Sequence, residues 1–249
     1  MARTKPAHRF ETLLDAAMNV FIAKGFRRTQ MSDVAAQARV SQGTLYNYFE
    51  SKDALFFLIV ERAFADPPPP PPALLPVKTP PVPEVMDRLR DRLMTDLRIA
   101  ALDHALAHPA HDVRAEMEAI IREYYELTHR RRRGFDLLER SAVDIPELAR
   151  LLYVERRRSI IARMTRYLET RIKTGAIRKL PDPPTAARFI VETIVWFARH
   201  RYNTPDSAMI TDEAAFATTI DLLLNALLAE RPNGGKRQSR RLHAGGRLR

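Results

Sequence analysis

The side chains best suited to reading another molecule lie in one short run, Val40-Ser41-Gln42-Gly43-Thr44-Leu45-Tyr46-Asn47-Tyr48-Phe49, followed by Ser51 and Lys52. Gln42 offers an amide donor and acceptor that match the edge of an adenine, and Thr44 offers a hydroxyl and a methyl for a base or a thymine methyl. Gly43 has no side chain, so a second backbone can come close. Ser41, Tyr46, Tyr48 and Lys52 suit phosphate, whose oxygens only accept hydrogen bonds, and Asn47 lies on the same polar side. Thr29, upstream, suits either a helix cap or a phosphate contact. Other chemistry is poorly represented. His104 and His108 stand four apart with His111 nearby, a spacing that can share a metal. They fall at a helix end beside Asp103 and Asp112, where solvent and the helix dipole account for them, so neither a metal nor a cofactor is expected. Arg130 to Arg133 are consecutive and point round a helix, which predicts a solvated helix end before Gly134. The absence of cysteine excludes a thiol nucleophile, disulfides and Cys-ligated zinc. No phosphate-binding glycine loop, H-E-x-x-H or G-x-S-x-G is present, and no enzyme activity is expected.

Helices must place the recognition run. Phe10, Leu13, Leu14, Ala17 and Phe21 recur at three- and four-residue steps before Lys24 and Gly25 supply a stop. A short helix over about residues 31–38 turns Val34, Ala35 and Ala38 inward, with Asp33 at its positive end. Arg39-Val40 forms a turn, and Ser41 is a good cap for a helix over about 42–49 that buries Leu45 and Phe49. Ser51 caps a further helix that begins with Lys52. Two short helices joined in this way make a helix-turn-helix, whose second helix fits the DNA major groove, about 12 Å wide. The same spacing also suits a helical hairpin whose polar side chains merely face water. Amphipathic stretches follow at 84–107, 112–131, 146–174, 185–202 and 212–229, and nothing alternates with period two. The predicted fold is all-α.

The 249 residues, 45% of them apolar, allow one or two domains with an adequate core. Lys and Arg number 41 against 30 Asp and Glu, yet residues 1–66 and 67–230 carry a net of only +2 each. The last nineteen residues hold seven basic side chains and no acid, so the body itself is nearly balanced. Proline punctuates the chain at Pro67 to Pro72 and again at Pro76, Pro80, Pro81 and Pro83. No helix or central strand can cross that stretch. As polyproline II the six consecutive residues make a stiff spacer of about 19 Å; the plainer reading is a tolerated loop insertion. These breaks divide the chain into an N-terminal unit at 1–66, a proline-rich linker at 67–83, a helical domain at 84–230 and a basic, disordered tail at 231–249. No apolar run approaches the ~20 residues of a membrane span and the start lacks a signal-peptide core, which predicts a cytoplasmic protein without a membrane partner.

Residues 9–60 resemble the TetR/AcrR family of bacterial transcriptional regulators. The matching positions are Phe21–Gly25, Thr29, Asp33-Val34-Ala35, Ala38, Val40-Ser41, Gly43-Thr44-Leu45-Tyr46, Tyr48-Phe49, Ser51-Lys52 and Leu55, in order across one fifth of the chain. The resemblance implies a homodimer, an N-terminal three-helix DNA-binding domain, and a divergent helical C-terminal domain that binds a small-molecule effector and dimerises. It further implies a repressor released from a palindromic double-stranded operator by that effector; a ligand-independent regulator or activator of the same fold is the alternative. In such a protein an apolar or amphipathic effector would lie among Met117, Ile121, Tyr124, Tyr125, Tyr153, Met164, Tyr167 and Trp196. The dimer interface would take Phe189, Ile194, Phe197, Phe216, Ile220, Leu223, Leu224 and Leu227 from the last two helices. Two positions depart from the family pattern. Arg39 stands where glycine is common, so it either carries a strain of about 1 kcal/mol at positive φ or sits in a different turn. Gln30 replaces the usual Ser or Thr cap.

Overall fold

A computed structural model describes residues 6–109 and 111–228 of the chain; the basic tail at 231–249 lies outside the described residues. Among them the regular structure is helical, with two isolated β-bridges. The first four helices are α1 (Pro6–Lys24), α2 (Met31–Gln37), α3 (Gln42–Tyr46) and α4 (Lys52–Phe64). Each boundary has a local cause. Gly25 ends α1 in the left-handed region at φ 81°, with its N–H on the carbonyl of Phe21 at 2.8 Å. Ser41 and Ser51 cap α3 and α4 by accepting the N–H of Thr44 and Ala54. Gln30 heads α2, where the carboxylate of Asp33 accepts its backbone N–H at 3.0 Å. Arg39 does take a positive φ, 55°, so the turn keeps its geometry and the arginine carries the strain.

The remaining helices are α5 (Val82–Asp91), α6 (Ala100–Ala107), α7 (Val113–Arg130), α8 (Arg132–Ala142), α9 (Pro146–Ala149), α10 (Arg157–Lys173), α11 (Pro183–Ala198) and α12 (Asp212–Leu227). The amphipathic stretch at 84–107 is not one rod: it passes through a π-helical turn at Arg92–Asp96 and breaks before α6. A second π-helical segment, Arg150–Arg156, joins α9 to α10. The helix end expected before Gly134 falls at the exposed Arg130, where α7 stops. Chain direction changes only at Arg131, and α8 runs on through Gly134. That glycine is a crossing point, because a Cβ there would lie 3.0 Å from the Phe64 ring and 3.1 Å from the Ala63 methyl.

Two apolar cores result. The first joins Leu13, Phe21, Val34, Leu45, Phe49 and Phe56 of the amino-terminal helices to Val85 and Leu89 of α5 and to Leu137 and Leu138 of α8. The second gathers Leu102, Ile120, Ile121, Tyr167, Leu168, Ile190, Ile194 and Leu224 from α6, α7, α10, α11 and α12. Helix α8 is therefore buried against α1 and α4 on one side, with Phe64 and Phe135 edge to face at 5.1 Å.

Candidate nucleic-acid interface

The recognition run forms the outer face of α3 and the turn after it. Leu45 and Phe49 are fully buried and hold that turn on α1, where Phe10 lies 5.5 Å from the Phe49 ring. With those two inward, Ser41, Gln42, Gly43, Tyr46 and Asn47 are exposed, and Thr44 and Tyr48 half-buried. Ser41 Oγ accepts the Thr44 N–H at 3.1 Å and pairs with the Thr44 hydroxyl at 2.8 Å, which fixes both side chains at the start of the helix. A Cβ on Gly43 would meet Ser41 Oγ at 3.9 Å and otherwise open space, so packing within the chain does not demand glycine there. The face is a polar, donor-bearing strip on the outer side of a short helix whose inner side is anchored in the core.

Two of the residues matched to phosphate have partners inside the chain. Thr29 is buried and donates to the carbonyl of Gly25 at 2.7 Å. The Lys52 ammonium donates to the carbonyls of Phe26 and Arg27 at 3.0 and 3.4 Å and lies 4.5 Å from the centre of the Phe26 ring. Both pin the loop between α1 and α2. Lys24 reaches Asp33 at 2.7 Å across that loop; this hydrogen bond, then the Gln30 N–H, holds the Asp33 carboxyl below the usual carboxylate range.

The residues matched to an effector do not share one cavity. Tyr124 and Tyr153 line an opening between α7, α8, the π-helical segment at Arg150–Arg156, α10 and α11, together with Thr128, Phe135, Leu152, Arg156 and Arg199. Met117, Ile121, Tyr125, Met164 and Tyr167 are buried in the second core, and Trp196 lies at the surface. Burial pushes the Tyr124 and Tyr167 phenols up, and Glu116 adds to the shift at Tyr167. At the opening's edge Arg199 pairs with Asp136 at 2.6 Å and with Glu139. Arg156, equally buried, has no carboxylate and donates to the carbonyls of Leu93 and Leu97 where the first π-helical turn ends. The rings of His104 and His108 stack 4.2 Å apart at the end of α6.

Most residues matched to a dimer interface also lie inside the chain. Ile194, Ile220, Leu223, Leu224 and Leu227 are buried in the second core, and Phe197 and Phe216 pack at its margin. Phe189 is 66% exposed, and Leu222, which spacing alone did not single out, is 62% exposed. Two more groups were not legible in the sequence. Asp144, in the turn after α8, accepts the Arg27 N–H at 2.8 Å, and Lys78 sits against the turn between α3 and α4. Their sequence neighbours carry no pattern that announces such partners.

Residues 13–59 match the family model described as bacterial regulatory proteins, tetR family. The HTH-type transcriptional regulator YvdT of Bacillus subtilis (strain 168) is 42% identical over 53 residues, 21% of this chain and 27% of that protein. The HTH-type transcriptional repressor KstR2 of Rhodococcus jostii (strain RHA1) is 24% identical over 204 residues, 82% of this chain and 83% of its own length. The chain thus spans about a quarter of YvdT and most of KstR2. Among solved structures, the ketosteroid transcriptional regulator KstR2 of Mycobacterium tuberculosis shares the fold with a TM-score of 0.56 at 19% identity, over 92% of this chain and 99% of that one. The family match covers residues 13–59, from α1 into α4, the stretch that carries the exposed recognition strip.

Proposed function

We propose that the protein is a dimeric, cytoplasmic DNA-binding transcriptional regulator rather than an enzyme, and that it is a repressor released from a palindromic operator by a small molecule. The observation that carries this reading is the strip of Gln42, Gly43, Tyr46 and Asn47 on a rigid helix, exposed while Leu45 and Phe49 anchor its back. Such a helix enters the major groove with its first residues toward the bases. Gln42 reads a base edge, and Ser41, Tyr46 and Tyr48 hold phosphates. Lys52 and Thr29 serve mainly by fixing the loop ahead of α2. Among the described residues no helix is long and apolar enough to cross a membrane.

Dimerisation supplies the second reading helix, because a palindrome about 34 Å between half-sites needs two related heads. The exposed Phe189 and Leu222 on α11 and α12 support a two-fold contact through those helices. The aromatic opening bounded by Tyr124, Phe135 and Tyr153 supports an apolar or amphipathic effector. The repressor named KstR2 that resembles most of the chain supports the sign of regulation.

The deciding experiment selects duplexes from a random pool with the full chain and compares wild type with Gln42→Ala. The variant loses ~1–3 kcal/mol on the selected site and relaxes preference at one base pair. Unchanged selectivity would refute the groove assignment. Effector control has its own check: a compound that weakens DNA binding must itself bind more weakly, by the same factor, when the duplex is present.

A further inference from the structure

The proline-rich segment after α4 does not loop away. Helix α4 is about 20 Å long at 1.5 Å per residue, and the segment leaves its end at Ala65. By Val77 it has returned to the residues just before that helix begins. The Val77 N–H donates to the Tyr48 carbonyl at 2.8 Å, and the Glu50 N–H donates to the Val77 carbonyl at 3.0 Å, making a one-residue parallel bridge with Phe49. Polar contacts extend it. The Glu50 carboxylate accepts the Thr79 N–H at 2.9 Å and the Lys78 ammonium at 3.0 Å, and the Thr79 and Ser51 hydroxyls pair at 2.6 Å.

We propose that Val77–Thr79 form part of the DNA-contacting surface, with Lys78 holding a backbone phosphate beside the turn between α3 and α4. The inference rests on the DNA-binding reading above and extends its footprint to a segment outside the helix-turn-helix. The paired turn directly follows the recognition strip and leads into the N-terminus of α4, the end that favours anions. Lys52, the cation that the turn itself provides, spends its ammonium on the Phe26 and Arg27 carbonyls. Among the described residues Lys78 makes one hydrogen bond, to Glu50, and its side chain is 74% exposed, which leaves two of its three donors available. Glu50 alone at this edge would repel a phosphate row. The Thr79 N–H and Lys78 together neutralise it and hold its carboxyl below the ordinary range.

The test uses the full chain with two probes, a duplex selected by the wild type and a 30-base-pair duplex of random sequence, each titrated across salt. Lys78→Ala, an exposed substitution, should weaken both duplexes alike, several-fold, and lower the slope of log affinity against log salt by about one unit, with sequence preference intact. Lys78→Arg, which keeps the charge, should hold the wild-type slope. An unchanged slope in Lys78→Ala overturns the phosphate contact, and so does weaker binding at an unchanged slope, which would mean that Lys78 only steadies the turn. The two readings fail separately. If Gln42→Ala loses selectivity while the Lys78→Ala slope matches wild type, only this proposal falls. If selection with the wild type enriches no duplex and the random duplex is not bound either, the DNA-binding reading falls with it.

Discussion

At the scale of single residues, Gly43 and Arg39 show how the reading head separates folding from recognition. Arg39 holds φ 55° in the turn where glycine would sit without strain, so the turn is set by its surroundings and not by local preference. Gly43 is the reverse case: it lies in a helix, where glycine costs up to about 1 kcal/mol against alanine, and a methyl there would meet open space. Folding gains nothing from it. Gly43→Ala should therefore raise thermal stability slightly and, on the proposed reading, weaken binding to the selected duplex, because the added methyl would stand in the path of an approaching DNA backbone. Thermal melting and fluorescence anisotropy on the same sample check the two opposite signs. If both rise together, Gly43 has no role at the groove.

At the scale of elements, α8 couples what composition would divide. Its inner face packs on α1 and α4 through Leu137, Leu138 and Phe135, while Phe135 and Glu139 also line the opening beside Tyr124. Its C-terminal end reaches the amino-terminal helices too. The Arg140 guanidinium donates to the Ala23 carbonyl at 3.2 Å, and Asp144 accepts from Arg27 at the loop before α2. Helix α8 thus links the opening beside Tyr124 to the loop before α2. The contact depends on Gly134, so Gly134→Ala, with its Cβ 3.0 Å from Phe64, should destabilise the chain by roughly 1–2 kcal/mol after the gain in helix propensity is set against overpacking. Chemical denaturation measures it, and a stabilised variant would mean that Phe64 swings aside without cost.

At the scale of the whole molecule, the buried and exposed faces of α11 and α12 allow stability and the proposed assembly to be tested separately. Leu223 is buried in the protomer's own second core, so Leu223→Glu should cost several kcal/mol of folding stability whatever the oligomeric state. Phe189→Glu or Leu222→Glu, on the exposed side, should leave the protomer folded and reduce a dimeric mass toward that of one subunit. Light scattering with thermal melting separates them. A dimer unaffected by both exposed substitutions would place the interface elsewhere. Proton linkage adds a whole-chain signature. Burial first, then the neighbouring Arg199 cation, hold the His200 imidazole below its ordinary value, so near pH 6 the unfolded chain binds more protons than the folded one. That contribution is complete above about pH 6.5 and is lost as pH falls toward the folded value. His200→Gln should flatten the pH dependence of the melting temperature over that window.

Local information was sufficient for the reading head. Helix steps, the Ser41 and Ser51 caps, the inward Leu45 and Phe49 and the outward Gln42 act within a few residues of one another, and their periodicity is visible without any long-range contact. Tertiary structure decided which apolar stripes serve the protomer. Ile194, Leu223 and Leu224 repeat as an interface would, yet they are buried in the protomer's own second core, and a hydrophobic period cannot say which neighbour covers it. Gly134 is a crossing point because Phe64, seventy residues earlier, needs the space of a missing methyl, a partner that local sequence does not name. Val77–Thr79 returned to the reading head through backbone hydrogen bonds, which every residue but proline can donate and which therefore leave no mark on side-chain composition.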